Sequence, residues 1–174
     1  MKPIVAAILA VLMFPAVAAA DTPTGGFSGE PPPVQAPVGK AAMQPGLRTA
    51  VAPVGAPEAV VKAIAAANKI TRKPYKWGGG HGRWWDSGYD CSGAVSYVLH
   101  KAGLLDGSRD STGFMSYGER RPGAWITIYA NGGHAYMVIA GLRFDTSGRG
   151  EEGPRWRPEW RSGRGFVKRH PVGL

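Results

Sequence analysis

The stretch Tyr89-Asp90-Cys91-Ser92-Gly93-Ala94-Val95-Ser96-Tyr97-Val98-Leu99-His100-Lys101-Ala102-Gly103 decides how this chain is read. From Cys91 onward the apolar residues Ala94, Val95, Val98, Leu99 and Ala102 recur at helical spacing, and Gly103 is a stop signal. Asp90 stands where an N-cap belongs, so its carboxylate is expected to accept from the first-turn amides and fix Cys91 at the helix N-terminus. Unpaired amides and the positive end of the helix dipole favour a thiolate there. They can also receive the oxyanion formed when that thiolate attacks a carbonyl. Gly93 is expected to leave room for a substrate backbone beside the sulfur. Cys91 is equally the first member of the helix's apolar stripe, so periodicity alone leaves nucleophile and buried core residue both open.

Working outward, Pro57 suits a helix start, and Ala59, Val60, Ala63, Ile64 and Ala67 form an apolar stripe ending near Asn68. Beyond the Cys91 helix, the run Ala124 to Ala130 meets Ala135 to Ala140 through Asn131-Gly132-Gly133, which reads as a hairpin. Gly141 leads into a short strand, Leu142 to Thr146, and a late strand around Gly165 to Arg169 closes the chain. Helices followed by an antiparallel sheet make an α+β arrangement.

The N-terminus carries Lys2, an apolar run from Ile4 to Phe14, and Ala18-Ala19-Ala20 before Asp21. This predicts a secretory signal peptide over residues 1–20, too short in its apolar part for a membrane anchor and followed by no cysteine that would take lipid. Residues 21–56, with Pro31-Pro32-Pro33 and Phe27 as the only aromatic, read as a Pro-rich disordered linker; 57–174 is the expected catalytic domain. The formal net charge of +9 points to polyanionic partners, which for an exported protein means anionic cell-wall polymers. The Arg- and Trp-rich segment 155–169 reads as a solvated basic face, and no nucleic acid is expected. A single cysteine excludes an internal disulfide, leaving catalysis, intermolecular pairing or burial to explain it.

Four histidines compete for the role of base. His100 lies about 180° around the helix from Cys91. His81 sits in a glycine-flanked loop and His170 near the C-terminus. His134 opens a strand after a tight turn, so the sheet is expected to aim its imidazole at the helix packed on that face. For the group that orients the imidazole, the adjacent strand offers Asp145 and Thr146, which alternate between faces. Strict alternation sends Thr146 toward the core with Leu142 and Phe144, and a bulge at Gly141 would reverse that. A carboxylate stabilises an imidazolium better than a hydroxyl, which favours Asp145.

Taken in order, Tyr75-Lys76-Trp77-Gly78-Gly79-Gly80, Tyr89-Asp90-Cys91-Ser92-Gly93, Ala102-Gly103-Leu104, Pro122-Gly123 and Gly133-His134 resemble the NlpC family of papain-like peptidoglycan hydrolases. The resemblance covers about residues 57 to 146. It implies a papain-like α+β fold, with N-terminal helices packed on a small antiparallel sheet and the nucleophile at a helix N-terminus. It further implies a thiol nucleophile at Cys91, a base at His134, no metal and no cofactor, and cleavage of peptide bonds in peptidoglycan stem peptides by a secreted enzyme. By the same resemblance Tyr75 and the amides around Cys91 help hold the oxyanion, and Trp77, Asp90 and Ser92 bind substrate. Two features depart from the pattern: Ala124 replaces the family's usual acidic residue after Pro-Gly, and the aromatic insertion Arg83-Trp84-Trp85-Asp86-Ser87-Gly88 is expected to shape substrate choice. An amidase or acyl transferase of the same fold, or a non-catalytic wall-binding module, are the alternative functions.

Overall fold

The computed structural model describes residues 39–148 and 152–174. The expected signal peptide and the linker as far as residue 38 lie outside the described residues. In chain order, β1 (Ala42–Met43) and β2 (Ala50–Val51) form a two-stranded ribbon, followed by α1 (Glu58–Ile70), α2 (Cys91–Lys101) and α3 (Ser111–Phe114). Then β3 (Glu119–Arg120), β4 (Ile126–Ala130), β5 (Ala135–Ile139), β6 (Leu142–Asp145), β7 (Arg155–Arg157) and β8 (Val167–His170) build one sheet in the order β3-β8-β4-β5-β6-β7. Every pairing in it is antiparallel. The fold is α+β, as the order of elements in the sequence predicts.

The expected helices form because their stripes have something to cover. Val60, Ala63, Ile64, Ala67 and Ile70 of α1 are buried against Ala94, Val95, Val98 and Leu99 of α2. Both helices close one face of the sheet, made by Ile126, Ile128, Ala130, Ala135, Met137, Ile139, Leu142 and Phe144. Pro57 occupies the cap position of α1 rather than its first turn, and Gly103 ends α2 with φ +75°, the left-handed conformation that glycine adopts without penalty. Where Ala124 removes an acceptor, the Thr127 hydroxyl takes the Gly123 amide at 3.1 Å.

Residues 39–56, assigned to the linker by composition, hold the β1–β2 ribbon. Two long-range anchors compensate for their weak local propensity: Asn68 Nδ2 and Oδ1 bond both backbone groups of Ala50 at 2.9 Å, and the Ala41 amide donates to Ala140 at 2.7 Å. Ala50 is itself part of the core. The Arg- and Trp-rich segment, expected as a solvated face, instead supplies β7 and β8, with Trp156 buried against Phe144 and its indole N–H on Asn68 at 2.8 Å.

Candidate active site

Asp90 caps α2 as its position predicts, accepting from the Gly93 amide at 2.7 Å. It does more than cap: its carboxylate also takes the Gly78 amide at 3.0 Å, His81 Nε2 at 3.0 Å and the Ser92 hydroxyl at 3.2 Å. A buried carboxylate so surrounded welds the glycine-rich loop to the start of the helix and has little capacity left for a ligand. Gly93 has a different role from the expected one. The space where its Cβ would stand is filled by the Gly79 carbonyl, which itself accepts from the Asp90 amide at 3.2 Å, so the missing side chain admits the protein's own loop. Gly93→Ala is therefore expected to cost about 2 kcal/mol or more, because backbone would have to move. Thermal unfolding checks this, and an unchanged Tm would show that the loop yields freely.

Cys91 is half-buried at the first position of α2. His134 immediately precedes β5, in a turn closed by Asn131 Oδ1, which accepts the amides of Gly133 and His134 at 3.0 and 2.9 Å. Burial pushes the Cys91 thiol up, but hydrogen bonds from the His134 imidazole and the Ala135 amide, together with the imidazolium charge, outweigh it and bring the thiol below its ordinary value. His134 Nε2 meets Asp145 Oδ1 at 2.9 Å, so the nitrogen turned to the sulfur is Nδ1. Burial pushes His134 down, yet the Asp145 and Cys91 contacts prevail and raise it to about 9. Burial likewise pushes Asp145 up, and it still ends below the usual carboxylate range because it accepts from His134 and from the Ser147 amide. All three shifts favour the charged forms, thiolate, imidazolium and carboxylate in a row.

The sheet achieves this by a route other than the expected one. Residues 135, 137 and 139 face the helices, while His134 shares its side with Tyr136, whose ring lies 6.2 Å away on the opposite face. The imidazole thus meets the sulfur at the end of the sheet, not through the face the helices cover. β6 runs in regular register with β5, Val138 opposite Arg143 and Met137 opposite Phe144, which puts Arg143 and Asp145 on the His134 side without any bulge. Thr146 follows with its hydroxyl buried and without a hydrogen-bond partner among the described residues.

No family model matches the chain, and no curated protein sequence does. Solved structures do resemble it, two of them as follows. The P60 domain of an M. avium subspecies paratuberculosis antigen is 24% identical with a TM-score of 0.50, over 64% of this chain and 93% of that one. An NlpC/P60 family protein from Bacillus cereus is 20% identical with a TM-score of 0.51, over 69% of this chain and 42% of that one, so this chain spans less than half of that protein's length. The fold is of the NlpC/P60 type.

In this NlpC/P60-type fold one hollow is lined in part by Cys91 and a second by His134. One, of about 290 Å³, is lined by Trp77, His81, Asp90, Cys91, Ser92 and Gly133. The other, of about 270 Å³, is lined by Tyr75, His134, Ser147 and Glu152. Trp77 is 87% exposed at the rim, whereas the Ser92 hydroxyl is buried on Asp90 and His81. Burial and the negative charges of Cys91 and Asp90 raise Tyr75, so its phenol stays a hydrogen-bond donor. The aromatic insertion lines neither hollow: Trp84 stacks flat on His100 at 3.8 Å, and Trp85 lies 6.2 Å from Tyr97 with Lys73 over its ring, so these aromatics brace α2. His170 is tied to Arg121 and Glu119, away from the sulfur.

Three participants escaped the sequence reading. His81, in its glycine-flanked loop, lies on Asp90, and its spacing from Asp90 carries no signal of their contact. Ser147 Oγ lies 3.2 Å from His134 Nε2 and, one alternation beyond Asp145, could have been found by register. Arg161 reaches Asp145 Oδ2 at 2.8 Å from irregular chain between β7 and β8, where no periodicity applies.

Proposed function

We propose that this chain is a secreted cysteine endopeptidase that hydrolyses peptide bonds in peptidoglycan stem peptides. The observation that carries the reading is the Cys91–His134–Asp145 row with one hollow at Cys91 and a second at His134, which leaves room for a bound peptide beside the thiol and its acid. The wall as target rests on the sequence resemblance, the predicted signal peptide and the net charge of +9.

In the proposed reaction the Cys91 thiolate attacks the scissile carbonyl carbon, and the carbonyl π electrons move onto its oxygen. The first-turn amides of α2 that Asp90 does not take, those of Cys91 and Ser92, and the Tyr75 hydroxyl hold that oxyanion. As the carbonyl re-forms, the C–N bond breaks and His134 Nδ1–H protonates the departing amine, leaving a thioester. A water then gives its proton to Nδ1 and attacks the thioester, releasing the acid and restoring the thiolate and imidazolium. Asp145 holds the ring in place and stabilises its cation throughout.

The test is incubation with purified peptidoglycan, with released fragments identified by mass spectrometry. New amino termini within stem peptides support the endopeptidase; sugar-linked cleavage products or transferred acyl groups would point to the amidase or transferase. On a soluble stem peptide, kcat/KM should rise with pH as Cys91 ionises, with a midpoint below that of a free thiol, and fall again near pH 9 as His134 loses its proton. A single rise near the pH of a free thiol would rule out the ion pair. Asp145→Asn is expected to lower kcat about ten- to a thousand-fold, since the amide neither balances the imidazolium nor fixes the ring. Thr146→Val should be mild. A crippled Thr146→Val beside a healthy Asp145→Asn would reverse the assignment.

A further inference from the structure

We propose that Arg161, from the C-terminal segment, is a positioning residue of this active site: it grips the second oxygen of Asp145 so that the first stays on His134 Nε2. The inference rests on the hydrolase reading of Cys91 and His134. One guanidinium nitrogen donates both to Asp145 Oδ2 at 2.8 Å and to Ser147 Oγ at 2.6 Å. Asp145 Oδ1 is left to His134 Nε2 at 2.9 Å, the Ser147 amide at 3.0 Å and the Ser147 hydroxyl at 3.2 Å. The carboxylate, whose side chain is wholly buried, is thereby held at both oxygens, and rotation about its own axis would break contacts at each. Arg143 also approaches Oδ2, but at 3.7 Å it is too far for a hydrogen bond and cannot fix an orientation.

Arg161 is suited to the task because it is held rigid itself. Its guanidinium lies over the rings of Tyr136, at 5.0 Å, and Phe166, at 5.4 Å, and Phe166 stands edge-on to the His134 ring at 6.3 Å. A stacked, planar, permanently charged fork loses little entropy in gripping a carboxylate, whereas a lysine is a single point charge on a flexible stem. The loop between β7 and β8 thus closes over the outer face of the sheet where His134 and Asp145 stand.

The experiment compares wild type, Arg161→Met, Arg161→Lys, Asp145→Asn and the Arg161→Met/Asp145→Asn double variant by two readouts: the pH profile of Cys91 alkylation by iodoacetamide, and kcat and KM on a stem peptide. Arg161→Met should lower kcat about tenfold with KM little changed and move the alkylation midpoint upward, Arg161→Lys should fall between, and in the Asp145→Asn background Arg161→Met should add almost nothing. Wild-type kcat and midpoint in Arg161→Met would overturn the proposal. So would an equal loss in both backgrounds, which marks a purely structural role. If Arg161→Met does not fold, Arg161→Lys decides, and wild-type values there count against the proposal. Failure of the hydrolase reading shows differently: the wild type cleaves no stem peptide and its thiol titrates like a free one.

Discussion

Cys91→Ala is expected to remove hydrolysis of stem peptides altogether, a loss of at least about 10⁴-fold in kcat, with the fold kept. The mechanism has no alternative covalent acceptor: Cys91 is the chain's single cysteine, and Ser92, next to it, has its hydroxyl buried on Asp90 and His81. Alanine suits the first turn of a helix, and the cap that starts α2 is made by the Asp90 side chain, which the substitution leaves alone. Cys91→Ser should be nearly as inactive. The contacts that bring the thiol below its ordinary value cannot bring a hydroxyl, which starts far higher, into the range where it ionises near neutral pH. Circular dichroism and thermal unfolding establish that each variant is folded, and product analysis on peptidoglycan gives the rate. Substantial activity in a folded Cys91→Ala would remove the nucleophile assignment and with it the proposed function.

The placement of Cys91 at a capped helix start was legible because it is local. A cap, a helix start and an apolar stripe lie within one continuous stretch, and their meaning follows from helix geometry alone. The β4–β5 hairpin was legible for the same reason, since Asn131-Gly132-Gly133 and two apolar runs fix both the turn and the pairing. What escaped depends on contacts between distant residues. The β1–β2 ribbon is held by Asn68 and Ala140. Arg161 meets Asp145 only after β7 has folded back on β6. The role of Gly93 shows how a correct expectation of empty space can be assigned to the wrong occupant: the sequence reveals that a side chain is missing but not what moves in. Asp145 is an intermediate case. The preference for a carboxylate was chemical, while the geometric objection assumed that His134 faces the helices. Once His134 and Asp145 are seen to share the outer face, ordinary alternation puts them together and the objection disappears.

His134→Ala should be as damaging as the loss of Cys91, and the reason lies in what happens to the sulfur. Burial alone pushes the Cys91 thiol up, and the hydrogen bond and charge of His134 do most to reverse that. Without the imidazole, the Ala135 amide remains as a donor, but the nearby Asp90 charge and burial now dominate, so the thiol should titrate above a free cysteine and stay protonated near neutral pH. The same substitution removes the proton that the leaving amine needs, so both halves of the step fail together. Losses within such a unit do not add, and the Cys91→Ala/His134→Ala double variant should be no worse than either single one. The other histidines provide the contrast. His100 is stacked on Trp84 and bonded to Leu105, His170 is held by Glu119 and Arg121, and alanine at either should leave measurable activity. His81→Ala should do so too, because Asp90 keeps the Gly78 and Gly93 amides and the Ser92 hydroxyl. Rates of iodoacetamide alkylation across pH, read beside kcat, decide the matter. A wild-type alkylation profile in His134→Ala would mean that the helix end and the Ala135 amide suffice to ionise the thiol, and that the imidazole serves only as the acid.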